Sequence, residues 1–155
     1  MTLKKLLSTT VITCSMLMPV FGQAADLFGD DEEQINLTLE VKGIRSDEGT
    51  VMLQLFDSED AFNDAKGDKA MATYIARASE DGLTVTIHDL KKGVYAVTLI
   101  HDENGNGQLD WKGQSPSEGY AYSRGAGKYS LPDFEDASIS LLRRSRNISL
   151  DLVYH

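Results

Sequence analysis

From residue 35 onward, apolar side chains recur at every second position. Leu37, Leu39 and Val41 alternate with Asn36, Thr38 and Glu40; Val51, Leu53 and Leu55 alternate with Thr50, Met52 and Gln54. A period of two places each apolar set on one strand face, as a sheet covering a core requires. Ser46-Asp47-Glu48-Gly49 lies between the two runs and reads as the turn of a hairpin. The alternation resumes in Thr73–Ala78, in Leu83, Val85 and Ile87, briefly in Ile139 and Leu141, and in Ile148, Leu150, Leu152 and Tyr154. After a turn at Lys91-Lys92-Gly93, Tyr95, Val97 and Leu99 share one face. The opposite face, with Val94, Ala96 and Ile100, is nearly as apolar, so this strand is expected at the centre of a sheet. Ser58–Lys66 breaks the pattern. Ser58 can cap a helix, acids follow it and Gly67 can end it, which predicts about two helical turns with Phe62 packed on the sheets. The sum is an all-β antiparallel sandwich of about seven strands with one short helix, covering residues 35–155.

The first two dozen residues do not belong to that pattern. Lys4 and Lys5 precede an apolar run from Leu6 to Phe21, and Gly22-Gln23-Ala24 supplies small residues where a signal peptidase cuts. Residues 1–24 therefore read as a secretory signal peptide, and the protein as periplasmic or secreted. The run is shorter than the ~20 residues a spanning helix needs, so no membrane span is expected after cleavage. Cys14, the only cysteine, lies inside the signal, and Thr13 before it is not the small residue a lipoprotein signal carries. The mature chain thus has no disulfide and depends on its core, or on its core plus a metal. Residues 25–34 are acidic and aperiodic, a flexible leader. The whole chain carries a net charge of −9, and loss of the signal removes two lysines and no acid. That balance argues against nucleic acid and against docking on anionic lipid, and it suits cations.

The densest chemistry lies in His101–Asp110, HDENGNGQLD. Asp102, Asn104 and Asn106 occupy alternate positions, Gly107 follows, and Asp110 comes eight after Asp102. This is the first three-quarters of an EF-hand-type calcium loop, in which alternate side chains of a tightly turning chain converge on one hard cation. Gln108 would offer its main-chain carbonyl. Gly113 stands where a bidentate Glu belongs, so Glu118 or Asp133 would have to return from the following segment to complete the set. Asn-Gly and Asx turns use the same residues with no ion, so a calcium brace and a plain turn both remain open.

The central block HDENGNGQLD, then Pro116, Glu118-Gly119-Tyr120-Ala121-Tyr122-Ser123 and Pro132–Ala137, resembles the exported bacterial proteins of domain-of-unknown-function family 2141. Gly43-Ile44-Arg45-Ser46, Leu55-Phe56-Asp57 and Leu90–Val97 fit as well, so the resemblance spans nearly all of residues 35–155. It implies export and an Ig/transthyretin-like or carboxypeptidase-regulatory-like sandwich, in which a Leu-x-x-Gly-x-Tyr turn is a structural signature that Leu90, Gly93 and Tyr95 fit. It implies no established activity. Tyr122 and Arg124-Gly125 depart from the family's small-residue context.

Three functional readings follow. Trp111, Tyr120 and Tyr122 cluster with Tyr129 and Phe134 and could line a groove for a sugar or peptide, or pack the long loop. A binding or accessory module of the cell envelope, with a small ligand or an envelope protein as partner, is the first reading. A hydrolase using His101, Asp102 and Glu118 is the second, although no Gly-x-Ser-x-Gly elbow, paired-histidine zinc motif or phosphate-binding loop is present. A purely structural domain that lends an edge strand is the third.

Overall fold

A computed structural model describes residues 34–64, 67–124 and 131–155. The segment read as a signal peptide, and most of the acidic segment after it, lie outside these residues. Those described belong to one compact unit, Glu32–His155. Its strands are β1 (Ile35–Lys42), β2 (Thr50–Phe56), β3 (Ala72–Arg77), β4 (Leu83–Leu90), β5 (Gly93–Asp102), β6 (Trp111–Lys112), β7 (Ser115–Pro116), β8 (Gly119–Tyr122), β9 (Ser138–Leu141) and β10 (Ser145–Asp151). Two single-turn helices, α1 (Glu59–Phe62) and α2 (Phe134–Ala137), interrupt them. No described helix is long and apolar enough to cross a membrane.

The fold is an all-β sandwich. One sheet has the order β10-β1-β4; the other has β3-β2-β5-β8, with β9 also on β5. The core between them is built by the alternating residues: Leu37, Leu39 and Val41, Leu53 and Leu55, Val97 and Leu99, and Leu150 are at most 2% exposed. Removing such surface from water is the dominant favourable contribution to the fold. β5 is central, as its two apolar faces require. β2 lies along one edge, while β8 pairs with Thr98–His101 and β9 with Gly93–Ala96 on the other.

Three details depart from the sequence reading. The strands number ten among the described residues, because three two- to four-residue pieces carry too few positions to show a period. The β1–β10 pair is parallel, from Asn36↔Ser145 to Lys42↔Asp151. And β1 and β2 form no hairpin: each pairs within a different sheet. Ile44, 4% exposed, enters the core between them and carries the chain across. The polar segment after it packs on the β3–β4 connection instead, where Asp47 Oδ1 accepts the Glu80 N–H at 2.8 Å. The expected two-turn helix is a single turn. Ser58 holds the N-cap position without a side-chain cap bond, and the chain must return to β2, where the Met71 N–H reaches the Leu55 carbonyl at 2.8 Å.

Candidate functional site

The central strand delivers its last two residues, His101 and Asp102, to one end of the sandwich, both buried. Beyond them the chain coils around the Asp102 carboxylate. Oδ1 accepts the N–H groups of Gly105 at 2.8 Å and Asn106 at 3.1 Å, and Oδ2 accepts that of Gly107 at 2.7 Å. Two Asx turns follow: Asn104 Oδ1 accepts from Asn106 N at 3.0 Å, and Asn106 Oδ1 from Gln108 N at 2.8 Å. Asp110 closes the ring, taking the side-chain N–H groups of Asn104 and Asn106. The turn needs a left-handed residue at Gly107, whose φ is +78°.

Gly113, with φ +68°, reverses the chain in the β6–β7 ribbon, which is why a ligand side chain has no place there. The ribbon brings Glu118 back beside the loop. Its carboxylate, 4% exposed, accepts Glu103 N–H at 3.0 Å and Asp110 N–H at 3.1 Å, tying the two ends of the loop together. Asp133 is elsewhere: it caps α2, accepting Asp136 N–H at 2.9 Å. Among the described residues no three His, Cys, Asp or Glu side chains converge as a metal cluster, and no buried side-chain N or O lacks a partner. The loop's carboxylates and amides bond chiefly to one another and to the loop's own backbone N–H groups. An amide oxygen has two lone pairs, so Asn104 and Asn106 retain coordinating capacity beside the two carboxylates.

His101 is fully buried and both ring nitrogens are engaged. Nε2 lies 2.9 Å from the Glu48 carbonyl, which only accepts, so Nε2 carries the proton; Nδ1 then accepts from the Tyr154 hydroxyl at 2.8 Å. The same hydroxyl takes the Arg45 N–H at 3.2 Å. The Arg45 guanidinium lies 4.4 Å from the Tyr154 ring centroid and pairs with Glu103. That hydrogen bond holds the Glu103 carboxyl below the usual range and raises Arg45; burial raises Tyr154. His101, Asp102 and Glu118, the trio considered for acid–base chemistry, are thus each spent on structural hydrogen bonds.

Trp111, Tyr120 and Tyr122 do come together. They line one groove of about 830 Å³ on the outer face of the five-stranded sheet. Its floor includes Met52, Gln54, Thr98 and Ile100, and Gly107-Gln108-Leu109 of the Asp/Asn loop forms part of its wall. Phe62 connects the aromatic run, 6.3 Å from Tyr122 between ring centroids, and Tyr122 lies 6.0 Å from Tyr120. Burial pushes the Tyr122 hydroxyl up to about 12. Trp111 and Leu131 at the groove remain 49% exposed. Phe62, Asp64 and Asp68 also line the groove, and local sequence spacing does not mark them as site residues; the apolar second face of β5 is the sequence signal that a covered surface lies there. Tyr129 lies outside the described residues.

No curated protein and no solved structure shows significant similarity to the chain. A family profile described as an uncharacterized protein conserved in bacteria does, over residues 39–149. That match takes in strands of both sheets, the Asp/Asn loop and every described lining residue of the groove: the chain belongs to domain-of-unknown-function family 2141.

Proposed function

We propose that this is an exported, non-catalytic binding module of the bacterial cell envelope, with its ligand site in the groove over the five-stranded sheet. One observation carries the reading: three aromatic residues from two segments, Trp111 from the loop ribbon and Tyr120 and Tyr122 from β8, line a single groove of the size small-ligand sites have. The described lining contains Asp64 and Asp68 and no Lys, Arg or His. A ligand with a flat apolar face and no negative charge suits it, such as a neutral sugar stacked on the rings.

Calcium is the proposed brace of the wall. Asp102, Asn104, Asn106 and Asp110, with the Gln108 carbonyl, offer hard oxygens at EF-hand spacing. A bound cation would take over from the two Asn amide groups as the partner of Asp110. Affinity belongs in the weak extracellular class, about 10⁻⁴–10⁻³ M. At tenfold excess over that constant the ion adds only ~1.4 kcal/mol, consistent with a loop already closed by its own hydrogen bonds.

Trp111 is the only tryptophan, so its emission reports on the groove. Titration with soluble neutral oligosaccharides should shift that emission saturably, and Tyr122→Ala should abolish the shift. Oligosaccharides that leave Trp111 unchanged, with calorimetry silent as well, would refute the groove reading. Thermal midpoints identical in chelator and in millimolar calcium, with no heat of calcium binding, would remove the brace alone.

A further inference from the structure

Two peptide bonds of the Asp102 loop carry a reaction of their own. Of the chain's asparagines, only Asn104 and Asn106 are followed by glycine. In an Asn-Gly pair the glycine nitrogen can attack the preceding side-chain amide carbon, since no Cβ obstructs the approach. The nitrogen gives its proton to water and bonds to Cγ. The Cγ–Nδ2 bond breaks, and the amide group leaves as ammonia with a proton from water. Water then opens the cyclic imide at either carbonyl, leaving an aspartyl or an isoaspartyl residue. Asn104 to Gln108 are all exposed, so water reaches both sites. A Cβ built on Gly105 or on Gly107 would meet nothing within 4 Å, so no neighbouring group screens either peptide.

Hydrogen bonding is what restrains them. Both attacking N–H groups point at one carboxylate, Gly105 at Asp102 Oδ1 at 2.8 Å and Gly107 at Oδ2 at 2.7 Å. Negative charge there opposes deprotonation of either nitrogen. Each side-chain amide is held at both ends. Asn104 Oδ1 accepts the Asn106 N–H, and its Nδ2 donates to Asp110. Asn106 Oδ1 accepts the Gln108 N–H, and its Nδ2 donates to the other oxygen of Asp110. Ring closure needs Cγ turned onto the glycine nitrogen in a near-attack geometry, and that turn breaks these bonds. We propose that Asn104 and Asn106 are latent deamidation sites: both convert when the loop opens, while in the closed loop Asp102 restrains the two nucleophiles and Asp110 the two leaving groups. The conversion runs one way, because a new carboxylate at either position faces Asp110 at short range. It also alters the groove wall, to which Gly107 and Gln108 belong.

The test is peptide mapping by mass spectrometry of the protein purified as the cell processes it. One sample is aged folded in mildly alkaline buffer, another in the same buffer with guanidinium chloride. Asn36, Asn63 and Asn147, which no glycine follows, serve as internal references. In the denatured sample Asn104 and Asn106 should convert ahead of all three. Breaking even one hydrogen bond to a charged group beforehand slows a reaction about tenfold. Folded protein should therefore convert at both sites about tenfold or more slowly than denatured protein. Asp110→Ala releases both side-chain amides and should speed folded-state conversion about tenfold at each, with melting curves showing the variant folded. If that variant does not fold, the comparison of folded with denatured wild type still decides. Folded conversion as fast as denatured, or denatured protein in which neither site outruns the references, would overturn the proposal. So would a folded Asp110→Ala variant that converts no faster than the parent.

Discussion

Glu118→Gln is the most telling perturbation of the loop. The carboxylate is 4% exposed and accepts two backbone N–H groups, one from each end of the loop. The amide keeps one accepting oxygen and turns an NH₂ toward the other donor. One charge-assisted bond is lost and a part-buried N–H is left unpaired, a cost of about 2–3 kcal/mol. Glu118→Ala, which strands both N–H groups, should cost about 3–5 kcal/mol. For a domain of this size, the Gln variant should melt about 6–15 °C below the parent. Calorimetry measures that shift. Amide hydrogen exchange locates it: Glu103 and Asp110 should lose protection while the β1, β2 and β5 amides keep theirs relative to global stability. A Gln variant melting within about 2 °C of the parent, with both amides still protected, would show that Glu118 does not hold the loop.

Four further outcomes are expected. Tyr154→Phe removes the hydroxyl that serves His101 Nδ1 and Arg45 N–H, leaving a buried ring nitrogen unpaired at about 1–3 kcal/mol, measurable by urea denaturation. In Gly119→Ala a Cβ would sit 2.4 Å from the Tyr154 ring; the ring must swing away, so this variant should lose the same His101 bond and not add to Tyr154→Phe in the double mutant. The Glu103 carboxyl is lowered by its hydrogen bond from Arg45. Its stabilisation is therefore present above the usual Glu range and lost as pH falls through the depressed value, and Glu103→Gln should flatten that acid limb in melts against pH. Tyr122, raised by burial to about 12 from 10.0, favours folding below its ordinary value and loses that contribution as pH rises across this window. An absorbance titration should show a late-ionising phenol that Tyr122→Phe removes.

The period of two determined which side chains face the core. Leu37, Leu39, Leu53, Leu55, Val97, Leu99 and Leu150 sit where alternation puts them, because strand geometry turns every second residue to the same side whatever the strand pairs with. That indifference is also why pairing was not legible. An alternating strand reads the same beside a parallel or an antiparallel neighbour, so the β1–β10 pair and the crossing at Ile44 had to be seen. The Asp/Asn loop was legible for the opposite reason. Its hydrogen bonds join residues two to six apart, within reach of local spacing. Glu118 reaches Glu103 across 15 residues and Tyr154 reaches His101 across 53. The β4–β5 and β9–β10 connections, some fifty residues apart, meet at one end of the sandwich. These long-range meetings depend on how two sheets stack and which ends they share, and only the tertiary structure decides that.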